Sequence, residues 1–280
     1  MKPKVKPPFN DDYPFLGSMR GDHRVVVDVG LKDGIETRMA VESGFVVYSF
    51  EPAPDHCEET RRKLRERNLT YHDVQLDRLG ELLSPLPEPE PGKGISYLFC
   101  VAAGAEHGWK TFYQDPTMAG YGSSFHDPVA KHWATEIDKE PGLKKYIFDV
   151  QVVPISQYVK TDVYFLKSDT QGHDVDVLKG ARELFERHVV RLVGVEFWPK
   201  GLISAGQSPG SLMDVLHSYN LLCFDQAGGS NADKRDELVH HPEDFASFMK
   251  TANGIGGIKG RWGWYTDFVC LNIASVYSHR

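Results

Sequence analysis

Between Val25 and Pro52 the chain reads VVVDVGLKDGIETRMAVESGFVVYSFEP, and that stretch leaves few folds open. Val25 to Val29 is a run of valines interrupted only by Asp28. Gly30 to Gly34 is a glycine-bracketed turn, Ile35 to Ser43 a helix, and Phe45 to Phe50 a second apolar run closing in Glu51. Two strands apolar on both faces and joined through a helix form a βαβ unit, which belongs in a parallel sheet covered on both sides. Ligands of open α/β sheets sit beyond the carboxyl ends of the strands, and here those ends carry Asp28, Gly30, Gly34 and Glu51. Glycines let the backbone approach a ligand, and an acidic residue about 20 positions later can accept both hydroxyls of a ribose. Glu51 stands 21 positions after Gly30.

A dinucleotide fingerprint starting at Gly30 needs further glycines at 32 and 35, where the chain has Lys32 and Ile35. The pyrophosphate cradle is absent, which disfavours a nicotinamide-dependent oxidoreductase. Lys plus Arg number 32 against 39 Asp plus Glu, a net charge of −7, so the basic footprint of a nucleic-acid binder is missing and no nucleic-acid partner is expected. Cys57, Cys100, Cys223 and Cys270 are scattered without a C-x-x-C pair. They are expected as buried apolar side chains in a reducing compartment, and the chain as a cytoplasmic protein. No stretch approaches the roughly 20 apolar residues of a membrane span.

Residues 1–22, rich in Pro, Lys and Asp, read as an extended arm, and 23–280 as one domain. Pro52 and Pro54 open a charged helix over Asp55–Asn68, and Val74, Leu76, Leu79, Leu82 and Leu83 suggest a second short helix over 72–84. A strand over Ile95–Val101 ends in Ala102, Ala103 and Gly104, small enough for an adenine ring to lie against the backbone. The aromatic, glycine-bearing stretch 109–126 reads as a loop or lid over the sheet edge, followed by a helix over Pro128–Glu140 and a strand over Tyr146–Val153. Residues 163–198 give a second βαβ unit, with the polar turn Ser168–His173 after the first strand and Glu196 at the end of the second. A helix near Ser211–Ser218 and strands at Leu221–Asp225 and Thr266–Ile273 flank a lid-like insertion near 226–264. Strands joined by such an excursion suit an antiparallel edge on a parallel sheet.

DVGLKDG at 28–34, SFEP at 49–52, GSS at 122–124, LKSDTQGHDVDVLKGA at 166–181 and VEF at 195–197 together resemble the FkbM-type methyltransferases, a branch of the class I S-adenosylmethionine-dependent enzymes. The resemblance covers roughly residues 24–200. The family usually shows Asn where this chain has Lys32, and Glu where it has Gln171. It implies a Rossmann-like α/β fold, mostly parallel with an antiparallel C-terminal edge strand and helices on both faces, and S-adenosyl-L-methionine as cofactor.

On that resemblance Gly30 and Gly34 admit the methionine part of the cofactor, Asp28 its ammonium, Glu51 the ribose hydroxyls and Ala102 the adenine. Methyl transfer is an in-line displacement in which the enzyme brings the acceptor oxygen to the methyl carbon and removes its proton. Asp169, at a strand end, is the candidate to face the sulfonium or the acceptor, with an N-cap role as the alternative. His173, at a helix start where the dipole favours a neutral imidazole, is the candidate base, with an exposed helix-start histidine as the alternative, and Glu196 could orient a substrate hydroxyl or bind Mg²⁺ with Asp169. No ligand pair at helical spacing supports a metal. Trp198, Trp262, Trp264 and Tyr265 could stack on a sugar ring or simply pack. The activity implied is O-methylation of a sugar or small secondary metabolite, with a small-molecule or carbohydrate acceptor as partner and a homodimer left open. A catalytically silent binding subunit with this fold is the non-enzymatic alternative.

Overall fold

The computed structural model describes residues 22, 24–114, 125, 146–225 and 265–273. The N-terminal arm, the helix expected over Pro128–Glu140, the GSS segment, Trp262, Trp264 and the 226–264 insertion lie outside the described residues.

Strands β1 (Val25–Val29) and β2 (Val46–Phe50) are joined by helix α1 (Ile35–Glu42) and pair in parallel, Val25 opposite Val46 and Val29 opposite Phe50. Helix α2 (Pro54–Glu66) follows, with Pro54 in its first turn and Cys57, Thr60 and Leu64 as its buried stripe. Next come β3 (Thr70–Asp73), β4 (Ile95–Phe99), β5 (Ala102–Ala103), β6 (Gly108–Tyr113), β7 (Ile147–Val153) and β8 (Val163–Ser168). Helices α3 (Asp174–Gly180) and α4 (Arg182–Arg187) lead to β9 (Val190–Phe197), then α5 (Pro199–Ser204), α6 (Pro209–Ser218), β10 (Leu221–Asp225) and β11 (Thr266–Asn272).

Eight strands form one sheet in the order β10-β11-β9-β8-β1-β2-β4-β3, and β5-β7-β6 form a smaller one. From β9 to β3 the large sheet is parallel, whereas β11 runs antiparallel to both β9 and β10. Alternation along the strands divides the core between the faces. Val26 and Val47 pack with Ala40, Val41 and Leu64 of α1 and α2, while Val25, Val27 and Val29 pack with Val175, Leu178, Leu212 and Leu216 of α3 and α6. Helices therefore cover both faces of a mostly parallel sheet with an antiparallel C-terminal edge. This is a Rossmann-like, doubly wound α/β arrangement. The chain goes from β1 to β2 on one side and returns to β8 on the other, which opens a crevice beyond the carboxyl ends of β1 and β8.

Three expectations need correction. The leucine-rich stretch 72–84 is not a helix. Thr70–Asp73 is the edge strand β3, and the Asp77 carboxylate then accepts the backbone N–H of Leu79 (2.8 Å) and Glu81 (2.9 Å). Such a side-chain bond offers the backbone an alternative to a helical turn, and Leu79 and Leu83 are left exposed rather than forming a buried stripe. The stretch 109–126 is not wholly loop, because β6 pairs antiparallel with β7 from Gly108 to Tyr113 and buries Phe112 in a separate apolar cluster. The cysteines are not unpaired. Cys57 of α2 is disulfide-bonded to Cys100 just beyond β4, and Cys223 to Cys270, which stand opposite each other in the β10–β11 register. Sequence separations of 43 and 47 hid pairs that the topology brings together, so the scattered spacing gives no support to a reducing compartment. No helix among the described residues is long and apolar enough to cross a membrane.

Candidate active site

A cleft open to solvent lies beyond the carboxyl ends of β1, β2 and β8. Its walls come from four turns: Val29, Gly30 and Lys32 after β1; Glu51, Pro52 and His56 between β2 and α2; Ala102 and Ala103 of β5; and Asp169, Thr170, Gln171 and His173 after β8. Phe112 and Phe125 close the side nearest the small sheet.

The first turn is held to the second by Glu51. One carboxylate oxygen accepts the backbone N–H of Leu31 (3.0 Å) and Lys32 (3.2 Å), and the other that of Ala53 (2.8 Å). His56 Nδ1 lies 3.5 Å from that second oxygen. Burial by itself would lower the His56 pKa, but the hydrogen bond and charge of Glu51, with Asp55, outweigh it and leave it raised. Lys32 adopts a left-handed φ of 52°. Asn enters that region more readily than Lys, which accounts for the family's usual residue there.

Gly30 is required by the strand that faces it. Its φ is 79°, and a Cβ there would come 2.0 Å from the Asp169 carbonyl oxygen, so only glycine lets the ends of β1 and β8 meet. Gly34 (φ 68°) serves packing instead, since a Cβ would come 2.4 Å from Thr60 Oγ1 of α2, and it does not line the cavity. Asp28 is likewise placed elsewhere. It is 1% exposed, accepts the Thr37 hydroxyl at 2.7 Å and lies 3.4 Å from the Lys167 ammonium, which also donates to the Gly30 carbonyl at 2.8 Å. The Asp28–Lys167 pair braces the first turn from below.

After β8, the buried Asp174 carboxylate organises the second turn by accepting from the Ser168 hydroxyl (2.6 Å) and the backbone N–H of Thr170 (3.2 Å) and Gly172 (3.3 Å). Asp169 therefore has no N-cap duty and is left to line the cavity. Its Oδ1 accepts from Gln171 Nε2 at 3.0 Å. His173 sits edge-on to Phe125, 4.9 Å between ring centroids, with Nδ1 3.7 Å from Asp176 Oδ2. Burial lowers its pKa, only partly opposed by Asp176, which favours the neutral imidazole. The cause is desolvation rather than the dipole of α3, which is only seven residues long.

Glu196 stands behind this wall rather than in it. Both of its carboxyl oxygens lie 3.2 Å from Gln171 Nε2, and it faces Asp267 across the β9–β11 register. Burial, then the charges of Asp169, Asp174 and Asp267, raise its pKa well above the usual carboxylate range. Burial, then the charges of Asp169, Asp174 and Asp225, push Asp267 up to about 7, with Lys167 opposing. Among the described residues no group of three His, Cys, Asp or Glu side chains could hold a metal ion. Trp198 is buried against Gly201, which assigns it to packing, and Tyr265 is exposed.

Of the residues singled out from the sequence, Gly30, Glu51, Ala102, Asp169 and His173 thus share one cavity, whereas Asp28, Gly34 and Glu196 support it from outside. Sequence reasoning passed over His56, Phe112 and Phe125, and saw Gln171 only as a departure from the family. His56 was within reach, because a helix opening at Pro54 just after the β2 end places its first turn on the ligand side. Phe112 gave no such signal, since its role depends on the pairing of β6 with β7.

Residues 28–220 match the Methyltransferase FkbM domain, well over half of the chain. No curated protein matches it. Among solved structures it is similar to methyltransferase FkbM from Methylobacillus flagellatus, at 14% identity and TM-score 0.42, over 89% of this chain and 44% of that one. The chain thus spans under half the length of that protein. An rRNA methylase from Streptococcus thermophilus is similar at 9% identity and TM-score 0.44, over 96% of this chain and 98% of that one. An O-methyltransferase from Bacillus cereus, in complex with SAH, is similar at 8% identity and TM-score 0.37, over 95% and 84%. With the family's domain running from the end of β1 through the second βαβ unit and including every turn after β1, β2 and β8 that walls the cleft, the chain belongs to the FkbM methyltransferase family.

Proposed function

We propose that this chain is an S-adenosylmethionine-dependent O-methyltransferase whose acceptor is a hydroxyl of a sugar or small secondary metabolite, and that residues 23–280 act as one domain. One observation carries the reading: a ribose-type carboxylate, Glu51, and a candidate base, His173, line the same cavity on turns that follow different strands. The lining suits the cofactor. Ala102, Ala103 and Pro52 offer a small apolar surface for adenine, Glu51 has one acceptor position beyond its three backbone bonds, the one beside His56, and no glycine cradle for a pyrophosphate is present.

S-adenosylmethionine, when bound, supplies a methyl group on a sulfonium. Glu51 would hold the ribose hydroxyls, and the Gly30 turn the methionine part. Asp169 would orient the acceptor hydroxyl. His173, whose neutral form burial favours, would accept the proton released as that oxygen becomes an ether. Phe112 and Phe125 exclude water from that side, which strengthens each polar interaction within.

Calorimetry with S-adenosylmethionine, S-adenosylhomocysteine and NAD side by side tests the cofactor. Transfer of a labelled methyl group to a panel of sugar and metabolite hydroxyls tests the reaction. Binding of NAD but of neither adenosyl compound would overturn the proposal. Cofactor binding without transfer to any acceptor would favour the silent binding subunit.

A further inference from the structure

Asp169, just past the end of β8, lies close to Glu196 and Asp267 on the neighbouring strands β9 and β11, with Asp174 behind them in α3, Asp225 on β10 and Lys167 as the cation among them. Such a group repels itself unless a donor comes between its members. Gln171 supplies that donor. Its Nε2 lies 3.0 Å from Asp169 Oδ1 and 3.2 Å from each Glu196 oxygen, so one amide hydrogen serves Asp169 and the other is shared by Glu196. Turning the amide over would set its oxygen against the Asp169 carboxylate, which disfavours the other orientation.

The backbone holds Gln171 in this position. Its φ is 55°, and the next residue, Gly172 (φ 97°), packs so closely that a Cβ would come 2.4 Å from the Gly201 backbone, while Asp174 ties the turn from below. We infer that Gln171 is a positioning residue: its side-chain amide clamps the cavity-facing Asp169 to Glu196 and so determines which carboxylate oxygen Asp169 presents to the acceptor. With Oδ1 committed to the amide, Oδ2 receives the acceptor hydroxyl. The raised affinity of Glu196 for a proton fits the arrangement, because a protonated Glu196 spares Asp169 a second negative charge at its back. The assignment of Asp169 to the acceptor rests on the proposed function; the clamp does not.

The test compares wild type, Gln171→Ala and Gln171→Glu in two independent ways. The first is the melting temperature of the protein without cofactor between pH 5 and pH 8.5. Gln171→Glu adds a carboxyl whose folded pKa its neighbours raise above the unfolded value, so the variant is expected close to wild type at pH 5 and progressively less stable as pH rises. The second is kinetic. Gln171→Ala is expected to lower kcat about tenfold or more with cofactor affinity held within about twofold, and Gln171→Glu to move the pH optimum downward. If the alanine variant does not fold, Gln171→Met, similar in length but without a donor, replaces it. Wild-type melting profiles at every pH for Gln171→Glu would overturn the clamp whether or not the protein transfers a methyl group. A protein that transfers none, yet shows the pH-dependent loss, would retain the clamp and refute the proposed function.

Discussion

His56 Nδ1 stands 3.5 Å from the Glu51 carboxylate, and that carboxylate in turn holds the backbone N–H groups of Leu31, Lys32 and Ala53. Glu51 is thus a structural tie before any ligand arrives. Glu51→Ala leaves three buried donors without their acceptor, at about 1–3 kcal/mol for each one that water does not reach. The expected outcome is a fall in both melting temperature and cofactor affinity. Glu51→Gln, which keeps an acceptor oxygen, should recover much of the stability while binding the cofactor about tenfold more weakly. An alanine variant with unchanged affinity by calorimetry would remove Glu51 from the binding site.

His56 makes that tie dependent on pH. A histidine whose folded pKa is raised above the unfolded value contributes stability that is fully present below the unfolded pKa and is lost as pH rises through the folded one. His56→Ala should therefore destabilise the protein more at pH 5.5 than at pH 8.5. Equal losses at the two pH values, in urea titrations, would contradict a charged His56–Glu51 pair.

At Gly30 the expected damage is to the fold as much as to binding. A Cβ meets the Asp169 carbonyl at 2.0 Å, and the positive φ adds backbone strain. Gly30→Ala should lose about 2 kcal/mol or more by urea denaturation, because the two atoms in conflict both lie on strand ends that cannot move apart without parting β1 from β8. A variant as stable as wild type would mean that the β1 and β8 ends separate freely.

The proton is assigned by a pair of variants. With the His173 pKa lowered by burial, turnover should rise with pH through a value below about 6.5 and then level off. His173→Ala is expected to lose roughly 10²- to 10⁴-fold in rate with little change in cofactor affinity. Asp169→Asn keeps the shape of the side chain but not its charge. If it abolishes turnover while His173→Ala stays near wild type, the base is the carboxylate.

Asp267, pushed up to about 7 by burial and by Asp169, sets the alkaline side of stability. A raised carboxyl contributes stability below its unfolded pKa that is lost as pH rises through the folded value, so the protein should be more stable at pH 6 than at pH 8.5. Asp267→Asn should flatten that decline. Thermal unfolding across the range checks it, and an unchanged slope would exclude Asp267 as its source.

Both βαβ units were legible in the sequence because buried parallel strands are written as continuous apolar runs, and the turns after them mark the ligand side. The stretch 72–84 was not, since five leucine and valine side chains at helical spacing say nothing of Asp77 taking the backbone bonds a helix would need. Asp28 shows the limit most clearly. Alternation along β1 leaves open whether a polar side chain faces a ligand or a buried lysine 139 positions away, and here it faces Lys167. Gln171 was visible only as a departure from the family. Its meaning needed the placement of Glu196 on another strand.

The antiparallel edge carries a further consequence. Cys223 and Cys270 join β10 to β11, and the Thr266 hydroxyl donates to Asp225, so the chain leaves the sheet at 225 and re-enters beside the same point. The entropy of closing the intervening stretch is thereby met within the sheet, and doubling its length would add only about 0.6 kcal/mol. A change in the length of chain between the two strands is therefore only weakly resisted by loop closure, because the pairing of β10 with β11 fixes where both ends stand.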